Sequence, residues 1–226
     1  MNAQETLLAL GFDRVKVLDS KACGAPGQRL ILAIRYYEAD AQVPEDRPWL
    51  HPYYGAAQLA FEAAGRAAAM LNATRCNEVR LKPIFARLAA FAHGRNTLAC
   101  LAGQGSRFHV QQLAVEEALP VTEEILHEPT PLHCGSCRRC EEACPTGAIR
   151  ADGFHRELCL RNWQMNGRPV PEALRGKMGL RLLGCDDCQR CCPCQPASTG
   201  SSLPVPAIDQ LLREPKQAAQ ALRPLI

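Results

Sequence analysis

Apolar and polar positions along the first half of the chain follow two periods, one near 3.6 residues and one of two. Leu7, Leu8 and Leu10 follow Asn2, with Glu5 three positions after it, and this pattern predicts a capped helix over residues 2–10. Arg14-Val15-Lys16-Val17-Leu18 alternates like a strand, and Leu30 to Ile34 is a short, wholly apolar run with strand character. Val43 to Tyr54 reads as a loop, because Pro44, Pro48 and Pro52 exclude a long helix there. Residues 55–72 form an alanine-rich helical pattern with Leu59, Phe61, Met70 and Leu71 as its larger apolar residues and Asn72 as its C-terminal cap. Pro83 opens a further predicted helix to about Ala92, ended by Gly94. Thr97–Leu101 and Phe108–Val115 read as two strands joined by a hairpin-like turn at Gly103-Gln104-Gly105-Ser106. Glu128-Pro129-Thr130-Pro131 is an extended linker. After residue 202 only two short helical patterns remain, Ile208 to Leu212 and Ala218 to Leu222.

The expected fold class is α+β. An N-terminal α/β domain over 1–126 precedes a cysteine-rich domain over 127–202 and a short helical tail over 203–226. A 47% hydrophobic content over 226 residues supports a real core. A net charge of +3 is too small to mark a nucleic-acid footprint by itself. No apolar run reaches the length of a membrane span, and the start lacks a basic region ahead of an apolar one, so the expectation is a cytoplasmic protein.

Cysteine changes this picture most. There are thirteen, of which Cys23, Cys76 and Cys100 are scattered and ten lie between Cys134 and Cys194. In a cytoplasmic chain such density points to metal rather than disulfides. Cys134-x-x-Cys137-x-x-Cys140-x-x-x-Cys144-Pro145 has the spacing of bacterial two-cluster ferredoxins. Three thiolates two residues apart wrap one corner of a cubane, and the fourth turns toward a second cluster. The second half is distorted: Cys159 stands alone, 25 residues intervene, and Cys185-x-x-Cys188-x-x-x-Cys192-Pro193 follows. The pairing rule for such ferredoxins assigns Cys134, Cys137, Cys140 and Cys192 to one [4Fe–4S] cluster. Cys144, Cys159, Cys185 and Cys188 go to the other. Cys191 offers an alternative to Cys192, which is preferred because a proline follows it as one follows Cys144; Cys194 is a free thiol or a substitute ligand. Structural zinc is the competing reading of Cys-x-x-Cys pairs, although four cysteines in one such run before proline are unusual for it. Cys23, Cys76 and Cys100 are expected as small buried hydrophobes.

The run from Cys134 to Ile149, together with Gly184-Cys185-Asp186-Asp187-Cys188-Gln189-Arg190, closely resembles the epoxyqueuosine reductases, a family related to reductive dehalogenases. The lone Cys159 and the long insertion before Cys185 fit the same pattern. Upstream, Gly94-Arg95-Asn96-Thr97-Leu98 is similar to the family's Gly-Lys-Asn-Thr-Leu, and Gly105-Ser106-x-Phe108 to its Gly-Ser-x-Phe.

The resemblance implies an N-terminal domain that binds cobalamin, with electrons fed from the clusters to the cobalt to reduce an epoxide on a modified tRNA base. It also implies that Gly94, Arg95, Asn96, Gly105 and Ser106 line the cobalamin pocket; on the residues alone, the same stretches are two ordinary turns. Three departures accompany it. The N-terminal part is short, the helical-repeat tail that helps the family grip tRNA is missing, and Arg80-Leu81-Lys82-Pro83 stands where the family has an acidic catalytic segment. Strong tRNA binding and the family's acid chemistry are therefore not expected. The expected function is an iron–sulfur redox protein that takes electrons from a flavodoxin, ferredoxin or reductase and relays them singly, to a cobalamin-type cofactor. The alternative is a non-catalytic ferredoxin-like electron carrier with a docking domain, and a third reading gives the N-terminal domain another cofactor such as a flavin. His93 and His109 flank the glycine motifs, Tyr53 and Tyr54 could cover a pocket, and Arg138, Arg139 and Arg190 could attract an acidic donor.

Overall fold

The computed structural model describes residues 2–38, 49–76, 78–130, 134–165 and 169–196. Helix α1 (Ala3–Ala9) begins at Asn2, whose side chain accepts from the Glu5 backbone N–H while the Glu5 carboxylate accepts from the Asn2 N–H. Two of the helix's orphan donors are thus satisfied reciprocally. Strand β1 (Arg14–Asp19) leads through the one-turn helix α2 (Ser20–Cys23) into β2 (Arg29–Tyr36). After β3 (Trp49–Leu50) comes α3 (Tyr53–Met70), and Asn72 just beyond it adopts φ +48°. A left-handed residue there ends a helix, and asparagine tolerates it better than most.

β2 organises the first part of the molecule. It lies between β1 and β7 (Phe108–Val115) in the sheet order β1-β2-β7-β4, where β4 is Thr74–Arg75, with all pairs antiparallel. Its alternate residues serve two cores. Leu30, Leu32, Ile34 and Tyr36 pack with Phe85, Leu88 and Phe91 on one face. Ile31 and Ala33 meet Leu7 of α1 and the Ala60, Ala63, Ala64 and Ala67 face of α3 on the other. Burial on both faces explains the unbroken apolar run.

Two expectations fail between residues 83 and 108. The helix expected from Pro83 to Ala92 is instead the short α4 (Leu81–Phe85), followed by turns and by β5 (Phe91–His93). Phe85, Leu88 and Phe91 are spaced like a helical face, but they enter one core from a folded-back segment. The expected hairpin of 97–101 with 108–115 does not form either. β6 (Ala99–Leu101) pairs with β5, and the Gly103–Ser106 turn contributes only a Leu101–Gly105 bridge. β7 pairs along its full length with β2, whose matching two-faced pattern outcompetes a three-residue partner.

The remainder is built of short pieces: α5 (Arg139–Ala143), β8 (Ile149–Arg150), β9 (Gly153–Phe154), a 3₁₀ turn at Arg156–Leu158, α6 (Leu160–Met165), α7 (Glu172–Arg175), β10 (Arg181–Leu183) and α8 (Asp187–Arg190). β8 and β9 form a small hairpin, and α5 packs on α8. β10 runs parallel to β3, joining this region to the first. The two tail helices expected after residue 202 lie outside the described residues. Among the described residues no helix is long and apolar enough to cross a membrane.

Candidate metal centre

The cysteine loops turn where glycine or a main-chain hydrogen bond lets them. Cys137 N–H donates to the Cys134 carbonyl at 2.9 Å around Gly135, which sits at φ +51°. The following turn opens α5, where Cys140 is buried. Beyond Cys144, Gly147 (φ +63°) donates its N–H to the Cys144 carbonyl at 3.2 Å, and the next N–H, of Ala148, points at Cys144 Sγ at 3.2 Å. A thiolate there is met by a backbone donor before any iron is considered.

In the second motif Asp186 starts the turn, accepting at its carbonyl from the Gln189 and Arg190 N–H groups at 2.8 and 2.7 Å. Its carboxylate is 2% exposed, bonded to the Arg190 guanidinium and 3.8 Å from His51 Nε2. Arg190, read from the sequence as a charge for an acidic donor or as solvated surface, is engaged with Asp186 inside the fold. Arg138 is 57% exposed and 3.6 Å from Glu141.

The thiols fall into two neighbouring groups. Burial pushes Cys188 well up, helped by the nearby Cys185, Cys159, Cys144 and Cys140. Cys140 is raised by burial and then by Cys134, with Cys192 also near. Burial and the Asp187 carboxylate push Cys185 up to about 12. Cys191 lies near Cys140, Cys192 and Cys137, and its sulfur turns back to the Cys188 carbonyl at 3.6 Å. Such crowding of neutral thiols is what metal binding relieves, since iron takes thiolates and screens their mutual repulsion. Among the described residues no three His, Cys, Asp or Glu groups converge on a single ion.

Cys100 is buried as expected, at 5% exposure. Cys76 is a core residue and Cys23 packs beside the same core, but Cys100 reaches the cysteine region, where Cys192, and with it Cys194, raises its thiol.

The five residues expected to line a cofactor pocket lie instead at the seam between the two parts. Arg95 N–H points at Cys134 Sγ at 3.3 Å, and its guanidinium donates to the Gly135 carbonyl at 3.0 Å. Asn96 donates to the Cys188 carbonyl at 3.1 Å. Ser106 N–H donates to Gln195 Oε1, and Ser106 Oγ is bonded by both Gln189 and Gln195. A Cβ on Gly94 would fall 2.7 Å from Asn96 Oδ1, and one on Gly105 only 2.4 Å from Gln195 Oε1. These groups bond to the chain's own cysteine region.

Beside the seam lies a layer of rings, of which the sequence singled out Tyr53, Tyr54 and His109 but not Tyr37, Trp49 or His51. Tyr37, Trp49, His51, Tyr53 and Tyr54 meet edge to face, and Tyr53 Oη is 3.0 Å from His109 Nδ1. Tyr37 donates to Gln189 Oε1. Burial pushes both His51 and His109 down to about 4. Proline followed by paired tyrosines was the one local signal of this layer. His93, in β5, is partly buried.

Residues 133–195 match the family described as a 4Fe-4S double cluster binding domain. The epoxyqueuosine reductase of Alicycliphilus denitrificans is 40% identical over 115 residues, covering 49% of this chain and 30% of that protein. That of Escherichia coli is 38% identical over 103 residues, covering 44% and 26%. The matched stretch is thus less than a third of those relatives' length. Among solved structures, epoxyqueuosine reductase from Bacillus subtilis, with its catalytic aspartate loop swung out of the active site, aligns with a TM-score of 0.64 at 18% identity, over 90% of this chain and 66% of that one. An epoxyqueuosine reductase bound to a tRNA-Tyr epoxyqueuosine-modified stem loop aligns at 0.63 and 17%, over 91% and 66%. Through the cysteine motifs this chain is thus similar in sequence to the epoxyqueuosine reductases, and over most of its length it shares their fold.

Proposed function

We propose that the chain is an iron–sulfur electron relay of reductase type. Cys134, Cys137, Cys140 and Cys192 hold one [4Fe–4S] cluster, and Cys144, Cys159, Cys185 and Cys188 hold the other. When bound, two such clusters supply single-electron transfer. The observation that carries the reading is the packing of α5 on α8, which brings the helix bearing Cys140 against the helix bearing Cys188. Cys192 is favoured over Cys191 because the Cys191 sulfur is turned toward a backbone carbonyl. The chain's own groups add N–H donors toward Cys134 and Cys144.

The finer reading, a cobalamin-type acceptor, rests on the resemblance of the glycine motifs. The engagement of those motifs with the cysteine region favours the second reading, an electron carrier whose first part serves as a docking unit. The corresponding epoxide reduction on tRNA is likewise a proposal, and Arg80-Leu81-Lys82-Pro83 offers no carboxylic acid for it.

Reconstituted protein should hold roughly eight irons per chain. Cys144→Ser and Cys192→Ser should each lower this by about half, the first damaging the Cys188 cluster and the second the Cys134 cluster. Damage from Cys191→Ser in place of Cys192→Ser would reassign that ligand, and one or two zinc ions without absorbance near 400 nm would end the iron–sulfur reading. Titration with cobalamin separates the two acceptor readings: a spectral change at micromolar concentration supports the corrinoid, and none supports the carrier.

A further inference from the structure

One pentapeptide of the first part touches a proposed ligand of each cluster. Gly94-Arg95-Asn96-Thr97-Leu98 closes the β5–β6 hairpin, with Thr97 N–H donating to the Gly94 carbonyl at 2.9 Å and Gly94 N–H to the Leu98 carbonyl at 3.2 Å. Asn96 is 6% exposed. Its Oδ1 accepts from Leu98 N–H at 3.2 Å, which aims its Nδ2 at the Cys188 carbonyl. Glycine at 94 leaves room for that brace, since a Cβ would strike Oδ1. Thr97 adopts φ +60°, a left-handed conformation that a β-branched residue rarely takes, and its hydroxyl is 3.2 Å from Lys82 Nζ. A strained residue held in place is a mark of a position the fold specifies.

The two arms of the loop differ in chemistry. Arg95 brings an N–H to Cys134 Sγ and a guanidinium that lies on Gly135 and 3.8 Å from Glu141. A donor and a positive charge beside a ligand sulfur favour the more negative, reduced state and raise a cluster's potential. Asn96 reaches the main chain of Cys188 rather than its sulfur, so it orients a ligand-bearing turn.

We infer that Gly94–Leu98 is a positioning loop through which the first part of the chain sets the potentials of both clusters separately, Arg95 acting on the Cys134 cluster and Asn96 on the Cys188 cluster. This rests on the ligand reading above. The loop's role is electronic as well as structural, and a merely structural seam would not shift one potential without the other.

The test is a redox titration of the reconstituted full chain followed by electron paramagnetic resonance, with the two signals assigned through Cys144→Ser and Cys192→Ser. Arg95→Gln should lower the potential of the Cys134 cluster alone, and Arg95→Lys, which keeps the charge, should recover part of the shift. Asn96→Asp replaces a donor with a negative acceptor and should lower the potential of the Cys188 cluster alone. Should Asn96→Asp fail to assemble, Asn96→Ala removes the donor without adding charge. A lowered potential of the Cys188 cluster at full iron content supports the inference, whereas iron loss in both Asn96 variants with no potential shift in either, or loss of both clusters, overturns it. Full iron content with both potentials unchanged, or with both moving together in each variant, also overturns it. Wild-type protein without two cubane signals would overturn the ligand reading itself, a result distinct from unshifted potentials.

Discussion

The sheet of residues 14–115 and the cysteine loops of residues 134–196 are held by different forces. In the first, β2 buries side chains on both faces, and Leu30, Ile31, Leu32, Ala33 and Ile34 are each 0% exposed. In the second, Cys140, Ala148, Ile149 and Leu160 are the only buried apolar residues among those described, and its elements are short. So little apolar burial does not offset the conformational entropy of ordering such a stretch. The comparison teaches that one region folds by excluding water, while the other depends on metal and on its seam with the first.

The largest effect that could break this contrast is iron removal. Chelation under reducing conditions should erase amide protection over residues 134–196 and leave β1, β2 and β7 protected in hydrogen exchange. Uniform loss, or none, would sink the distinction. Next, Leu32→Ala should cost about 2–5 kcal/mol in urea unfolding. The absorbance near 400 nm per folded chain should not change; if it falls, the two regions are less separable than the packing implies.

A smaller effect probes the ring layer between them. Burial pushes His51 down to about 4, with Asp186 opposing and Arg161, Arg190 and Arg107 adding to the shift. Below pH 6.5 the unfolded chain takes a proton that the folded chain refuses. Stability therefore falls as pH drops from 6.5 toward 4, by about 1 kcal/mol between pH 7.5 and 5.5. His109, pushed down to about 4 as well, adds a slope of the same size; urea midpoints at those two values should show the sum, and His51→Gln should remove about half of it. The smallest effect belongs to the far end of the first region: Asn2→Ala removes the capping box and should cost about 0.5–1 kcal/mol, without altering either cluster.

Legibility in the sequence follows the same division in part. Local patterns carried the Asn2 cap, β1, the apolar run of β2 and the long α3, because each is specified by neighbours within a few residues. The cysteine spacings were legible for that reason too. Residues 83–101 misled, since Phe85, Leu88 and Phe91 share a helical spacing while their burial is decided by distant β2. The seam was illegible. Gln189 reaches Ser106 across 83 positions and Asn96 reaches Cys188 across 92, and no periodicity encodes such pairs. Glycines at 94 and 105 signalled a close approach, but the approaching group is the chain's own cysteine region.

The pairing of β3 with β10 has a consequence for the making of the protein. Trp49 and Leu50 find their partners only at Arg181–Leu183. On a ribosome adding about 5–20 residues per second, that edge waits on the order of ten seconds while β1, β2 and β7 have already emerged. During this interval the four-stranded sheet can already be complete while β3, which belongs to a separate pair, still has an open edge.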